Sequence, residues 1–238
     1  MSNTAIPNGS ASVMSQRHEA LDSLDLFPTP PWATRALLRE VLPALAVDTS
    51  SLTAWEPASG LAHMSDVLSE AFASVHSSDV HDYGYQDSVG SFIGLGADVA
   101  MPPGPIDWVI TNPPFNLAEE FALRALEVAE YGVALIVRSN WSEGQDRYKN
   151  IFSQHRPSLI VQFSERVPMV KERWDPEAGT ATAYSWFIWM RGQTGLTQFD
   201  WIRPGAESRN TLFDDRSKFS TRGVSADKAD LPLFVGAA

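Results

Sequence analysis

The 238-residue chain contains no cysteine. Disulfides, thiolate zinc sites and cysteine nucleophiles are therefore excluded. No apolar run approaches the roughly 20 residues that a membrane-spanning helix needs. The first residues, MSNTAIPNGSASVMSQRHEA, lack the basic start and apolar core of a secretory signal. A soluble, cytoplasmic protein with no membrane partner is the expectation. Basic side chains are scarce in the first part of the chain: residues 1–137 hold 4 Lys and Arg against 17 Asp and Glu. Residues 138–238 hold 14 against 12, and the whole chain carries a net charge of −11. Phosphate neutralisation needs Lys and Arg, so any polyanion should meet the second half.

What is present is an ordinary globular balance, 44% hydrophobic and 20% charged. Residues 1–20 read as a disordered lead-in, 21–203 as one domain and 204–238 as a polar C-terminal tail. Pro30-Pro31-Trp32 opens a helix continued by Leu37, Leu38, Val41, Leu42 and Leu45 at helical spacing. Strands are expected at 52–55, 75–78, 107–111, 133–137, 159–163, 184–190 and 198–202. A loop-rich stretch covers 80–106 and a long charged connection covers 164–182. Asn116 is expected to cap a helix that Gly132 ends. The alternation predicts an α/β sandwich around a mostly parallel seven-stranded sheet. Ligands bind such sheets at the carboxyl ends of the strands, near the switch in strand order. Two unusual turns, 56–60 and 112–115, fall at strand carboxyl ends.

The second of these turns is Asn112-Pro113-Pro114-Phe115. Its prolines fix two φ angles and remove two amide donors, so the turn is stiff. A stiff turn can present the Asn112 side-chain oxygen beside the Pro113 carbonyl. Two fixed acceptors suit an exocyclic amine whose nitrogen must attack an electrophile, and Phe115 offers a face for a flat base. The plainer reading is a strand-to-helix turn, because Asn-Pro turns are common.

Asp107 to Phe115, DWVITNPPF, resembles the catalytic motif of S-adenosylmethionine-dependent amino-methyltransferases, above all adenine-N6 DNA methyltransferases of the kind carried by phages and prophages. Phe27-Pro28-Thr29-Pro30-Pro31 is similar to that family's N-terminal cofactor motif, and Glu56-Pro57-Ala58-Ser59-Gly60 to its main cofactor loop. The resemblance covers residues 24–203. It implies a Rossmann-like class I methyltransferase fold with one antiparallel strand, and S-adenosyl-L-methionine as cofactor. It implies that Phe27, Pro28, Thr29, Glu56, Pro57, Ala58, Gly60, Asp79 and Asp98 bind that cofactor, with Glu56 on the methionine amine, Thr29 on its carboxylate and Asp79 on the ribose. Asn112, Pro113, Pro114 and Phe115 would be catalytic, with no metal and no covalent intermediate. The sequence departs from the family where Leu61-Ala62-His63-Met64 follows the loop glycine, and no large target-recognition domain is expected between the motifs or in the stretch after position 203.

The implied partner is DNA with the target base flipped out. Arg138 after the fifth strand, and Arg166, Lys171, Arg173 and Trp174 in the 164–182 connection, are the nucleic-acid candidates, since basic groups beside an aromatic suit an opened strand. The competing reading of that connection is a solvated hairpin. Other amine targets stay open: a guanine amine in RNA, or a glutamine amide in a protein. A non-catalytic subunit supporting an active protein partner is a further alternative, as is a homodimer.

Overall fold

In the computed structural model, residues 25–94 and 98–223 are described; the lead-in 1–20 and the end of the tail, 224–238, lie outside the described residues. Eight strands form one sheet: β1 (Thr53–Glu56), β2 (Ser74–Asp79), β3 (Ser88–Val89), β4 (Ile106–Thr111), β5 (Ala129–Arg138), β6 (Leu159–Phe163), β7 (Tyr184–Met190) and β8 (Gln198–Ile202). Their order is β3-β2-β1-β4-β5-β7-β6-β8. Strand β7 runs antiparallel to both its neighbours, and every other pairing is parallel. The fold is thus the expected Rossmann-like α/β sandwich, with eight strands in place of seven. The additional strand, β3, lies in the stretch read as loop. It is two residues long, Ser88 and Val89, too short to carry a period. It is held by ladder bonds that continue from Ser77 and Asp79.

The central strands are apolar throughout because both faces are covered. Ala54, Trp108, Ala134 and Trp186 point to one buried cluster, while Trp55, Val109, Leu135 and Phe187 point to the other. Each set follows the strand register, in which Ala54 pairs with Trp108 and Trp55 with Val109. Gly132 does not end a helix. It lies within β5 opposite Trp108, where a Cβ would come within 2.6 Å of the indole ring. The strand uses glycine to admit the tryptophan.

The helices are α1 (Pro31–Ala36), α2 (Leu42–Ala44), α3 (His63–Leu68), α4 (Ala118–Val128), α5 (Gln145–Arg147), α6 (Ala206–Asn210) and α7 (Asp215–Phe219). Helices α1 and α2 are joined by a π-helical turn at Leu37–Val41. That widening precedes Pro43, which has no amide to donate to the previous turn. Helix α4 starts at Ala118 with Leu117 in the capping position, so Asn116 is not its cap. The amide of Leu117 bonds the Pro114 carbonyl instead, which extends the proline turn by one residue.

Helices α6 and α7 show that the chain after 203 is tied to the domain as far as Phe219. The buried Arg35 donates to both oxygens of the buried Asp215 at 2.6 and 2.7 Å, to Glu70, and to the Asn210 carbonyl. One guanidinium joins α1, the turn after α3 and the C-terminal helices. Burial of such a charge is tolerable only because every side of it is paired.

Candidate active site

A cavity of about 290 Å³ opens at the carboxyl ends of β1, β2 and β4. Strand order reverses here, since β1 has β2 on one side and β4 on the other. Phe27, Pro28, Thr29, Glu56, Pro57, Ala58, Gly60, Asp79, Asn112, Pro113, Pro114 and Phe115 all line it. Four segments of the chain therefore converge on one space. Asp98 does not line it; it is exposed beyond β3, where its carbonyl accepts from Ser91.

Glu56 ends β1 and is 2% exposed, and one of its carboxylate oxygens has no hydrogen-bond partner. Burial drives its carboxyl well above the usual range, with Ser65 offsetting part of the effect and Asp79 adding to it. A buried carboxyl with a vacant oxygen and no cation beside it lacks a positively charged partner. Asp79 ends β2. One of its oxygens accepts from the Gly60 amide at 2.9 Å and the other from the His81 amide at 3.0 Å. Burial also raises its carboxyl, against those two amides. Gly60 itself is left-handed at φ +49°, and a Cβ there would meet Leu26 at 2.6 Å. Asp79 and Leu26 together mould the loop against the cavity. Thr29 is 3% exposed with its hydroxyl unpartnered, and the helix after it is capped by Pro30 with no side-chain bond. Its hydroxyl is therefore not engaged as a helix cap.

Asn112 follows β4. Its side-chain nitrogen donates to the Phe27 carbonyl at 2.9 Å and touches the Met169 sulfur at 3.6 Å. That donor bond fixes which end of the amide is oxygen. The oxygen is buried and has no partner. The backbone amide of Phe115 donates to Asp25 at 2.7 Å. The Phe115 ring is tilted against Phe27 at 5.4 Å, and the Arg138 guanidinium lies over it at 4.4 Å.

Sequence reasoning missed several residues of this site. His63, Tyr83, Phe92 and Asp25 line the cavity. His63 is 2% exposed and burial lowers it to about 4, so its ring is neutral. None of these residues carries a motif, and only the fold brings them in. The nucleic-acid candidates divide. Arg138 and Arg166 are exposed, and Arg173 is exposed but paired with Asp175 at 3.4 Å. Lys171 is half-buried. Trp174 is 5% exposed and packs edge-on against Phe219, so it offers no face to an opened strand. The 164–182 connection is not a solvated hairpin: Val167 is fully buried, Met169 reaches Asn112, and the Glu172 amide bonds the Leu26 carbonyl. It straps the segment that lines the cavity.

Among the described residues, no helix is long and apolar enough to cross a membrane. No protein-family model and no curated protein matches the sequence. Solved structures do match in fold. A candidate RNA methyltransferase from Pyrococcus horikoshii aligns with a TM-score of 0.51 at 16% identity, over 70% of this chain and 88% of that one. The modification subunit of a candidate type I restriction enzyme from Vibrio vulnificus YJ016 aligns with a TM-score of 0.50 at 12% identity, over 81% of this chain and 51% of that one. The chain thus spans about half the length of the second. What these likenesses establish is the architecture: the mixed, mostly parallel sheet of Rossmann-like methyltransferases.

Proposed function

We propose that the protein is an S-adenosylmethionine-dependent methyltransferase acting on the N6 amine of adenine in DNA. The observation that carries this reading is that the unpartnered buried oxygens of residues lining one cavity include two of different character, the neutral amide oxygen of Asn112 and a carboxylate oxygen of Glu56. The first suits an uncharged amine and the second a cation.

The residues present fit the cofactor. Glu56 would take its ammonium group, and the unpartnered Thr29 hydroxyl would donate to its carboxylate. Each Asp79 oxygen accepts one backbone amide and keeps a lone pair for a ribose hydroxyl. When bound, S-adenosylmethionine would supply an electrophilic methyl group on a positively charged sulfur, toward which these residues would hold a target amine. Asn112 and the Pro113 carbonyl accept the amine hydrogens. This draws the nitrogen lone pair out of the base and stabilises the positive charge that develops there. The Phe27 carbonyl keeps the Asn112 oxygen aimed, because rotating the amide would break a 2.9 Å bond. Phe115 stacks on the base. The deciding experiment offers DNA, RNA and protein pools to purified protein with methyl-labelled cofactor, followed by mass spectrometry of nucleosides and peptides. N6-methyladenine in the DNA pool supports the reading, label confined to RNA or protein moves the substrate, and no label in any pool overturns it.

A further inference from the structure

Phe115 is shared by two cavities. Beyond it lies a second, of about 470 Å³, bordered by Arg138, Asn140, Trp141, Glu143 and Arg147. The two arginines stand apart from most others in this acidic chain. Arg35, Arg39, Arg124, Arg173, Arg203, Arg209, Arg216 and Arg222 are all paired with carboxylates. Arg138 has no carboxylate within ion-pair distance among the described residues; its guanidinium lies on the Phe115 ring. Arg147 is held by carbonyls rather than acids, donating to Trp141 at 2.8 Å and to Glu143, with its guanidinium 4.9 Å above the Trp141 ring. Two guanidinium groups and one acidic residue, Glu143, therefore border one cavity, with one guanidinium fixed by its backbone acceptors and the other exposed on a single ring contact.

That ring is the surface on which a flat base would stack. A cation–π contact at an exposed site is weaker than stacking of a base on the same ring. A base can thus displace the guanidinium, and Arg138 at the end of β5 then has the second cavity beside it. A flipped base brings a phosphate on either side of it, and arginine binds phosphate in two-pronged geometry.

We propose that Arg138 holds the place of the target base on Phe115 and, once displaced, binds the phosphate next to that base from the second cavity, beside Arg147. This rests on the DNA substrate proposed above. The two roles have opposite signs, which makes them separable. Removing the place-holder should help an uncharged base and harm a charged strand.

The test compares wild-type protein with Arg138→Ala and Arg138→Lys. Binding of uncharged adenosine and of a single-stranded DNA oligonucleotide with one adenine is measured across a salt series, with cofactor affinity alongside to show an intact site. In Arg138→Ala, adenosine should bind more tightly than to wild type. The oligonucleotide should bind about tenfold more weakly, as for loss of one charged hydrogen-bonded contact. Its salt slope should fall by about one. Arg138→Lys keeps the charge and should keep the salt slope. If adenosine binds Arg138→Ala no better than wild type, or the oligonucleotide slope is unchanged, the proposal is overturned while wild-type methylation of the oligonucleotide still supports the enzyme reading. A wild type that methylates no adenine overturns both.

Discussion

The Phe27 carbonyl accepts the Asn112 side-chain amide at 2.9 Å, so a segment before the first helix sets the direction of an oxygen 85 residues further on. The same segment continues to Thr29, which lines the cavity and whose buried hydroxyl has no partner, and starts at Asp25, which accepts the Phe115 amide. The binding end and the reacting end of the cavity are thereby built on one short stretch of chain. An error in placing that stretch would disturb both.

Replacing Asn112 by Ala should leave the fold and cofactor affinity nearly intact, since Glu56, Asp79 and Thr29 are untouched. The methyl-transfer rate should fall roughly 10²-fold or more, as when one preorganised group is deleted elsewhere. Asn112→Asp keeps an acceptor but turns an oxygen toward the Phe27 carbonyl, so its rate should lie between the two. Single-turnover assays with cofactor binding measured in parallel check this. Equal rates for wild type and Asn112→Ala would remove Asn112 from the chemistry.

Arg35→Ala should destabilise the protein by about 3–5 kcal/mol, because it strands the buried Asp215 carboxylate. Arg35→Met with Asp215→Leu, which removes both charges and keeps volume, should recover much of that loss. Urea melts of the two variants test the pairing. A single substitution that costs nothing would mean that the C-terminal helices are held by their apolar contacts alone.

Seven of the eight strands were legible because each carries an apolar run or a turn at its end, and the two cofactor and catalytic turns were legible because prolines and glycines stiffen or free the backbone there. Other features had no local signature. Arg35 reads as one more helical charge, and only the approach of Asp215, 180 residues away, shows it to be buried. Trp174 sits among charges in sequence and reads as a surface aromatic, yet its partner Phe219 is contributed by a helix that the polar composition of the tail concealed. His63 has no ligand spacing in the sequence, and only the packing of α3 shows it to be buried. In each case the deciding contact is long-range, and periodicity carries no information about it.

His63 gives stability a pH dependence. Its Nε2–H donates to the Phe219 carbonyl at 3.1 Å, while Nδ1 is buried without a partner, so protonation at Nδ1 is penalised. The folded value is lowered from 6.5 to about 4, chiefly by burial, and Arg222 lowers it further. The unfolded chain therefore binds the extra proton first. The contribution is fully present above pH 6.5 and is lost as pH falls toward 4, about 3 kcal/mol in all. Wild type should lose stability relative to His63→Phe as pH falls from 6.5 toward 4. Parallel stability curves for the two would show that the imidazole titrates normally.

Glu56 links protonation to ligand binding with the opposite sign. Burial raises its carboxyl well above 4.5, so between that value and its raised one the folded protein holds a proton that the unfolded chain has lost. That part of the stability is present at low pH and fades as pH rises. A bound ammonium group favours the carboxylate and reverses the balance, so the cofactor should expel the proton. S-adenosylmethionine should then bind more tightly as pH rises toward the raised value of the Glu56 carboxyl, levelling off once Glu56 is ionised in the free protein. Calorimetric titrations in two buffers of different ionisation enthalpy should record proton release in wild type. Glu56→Gln removes the titrating group, and in that variant both the release from this site and the rise in affinity should disappear, with weaker binding at neutral pH. Binding without proton exchange at every pH in wild type would show that no cation sits on Glu56, and the cofactor would then have to lie elsewhere in the cavity.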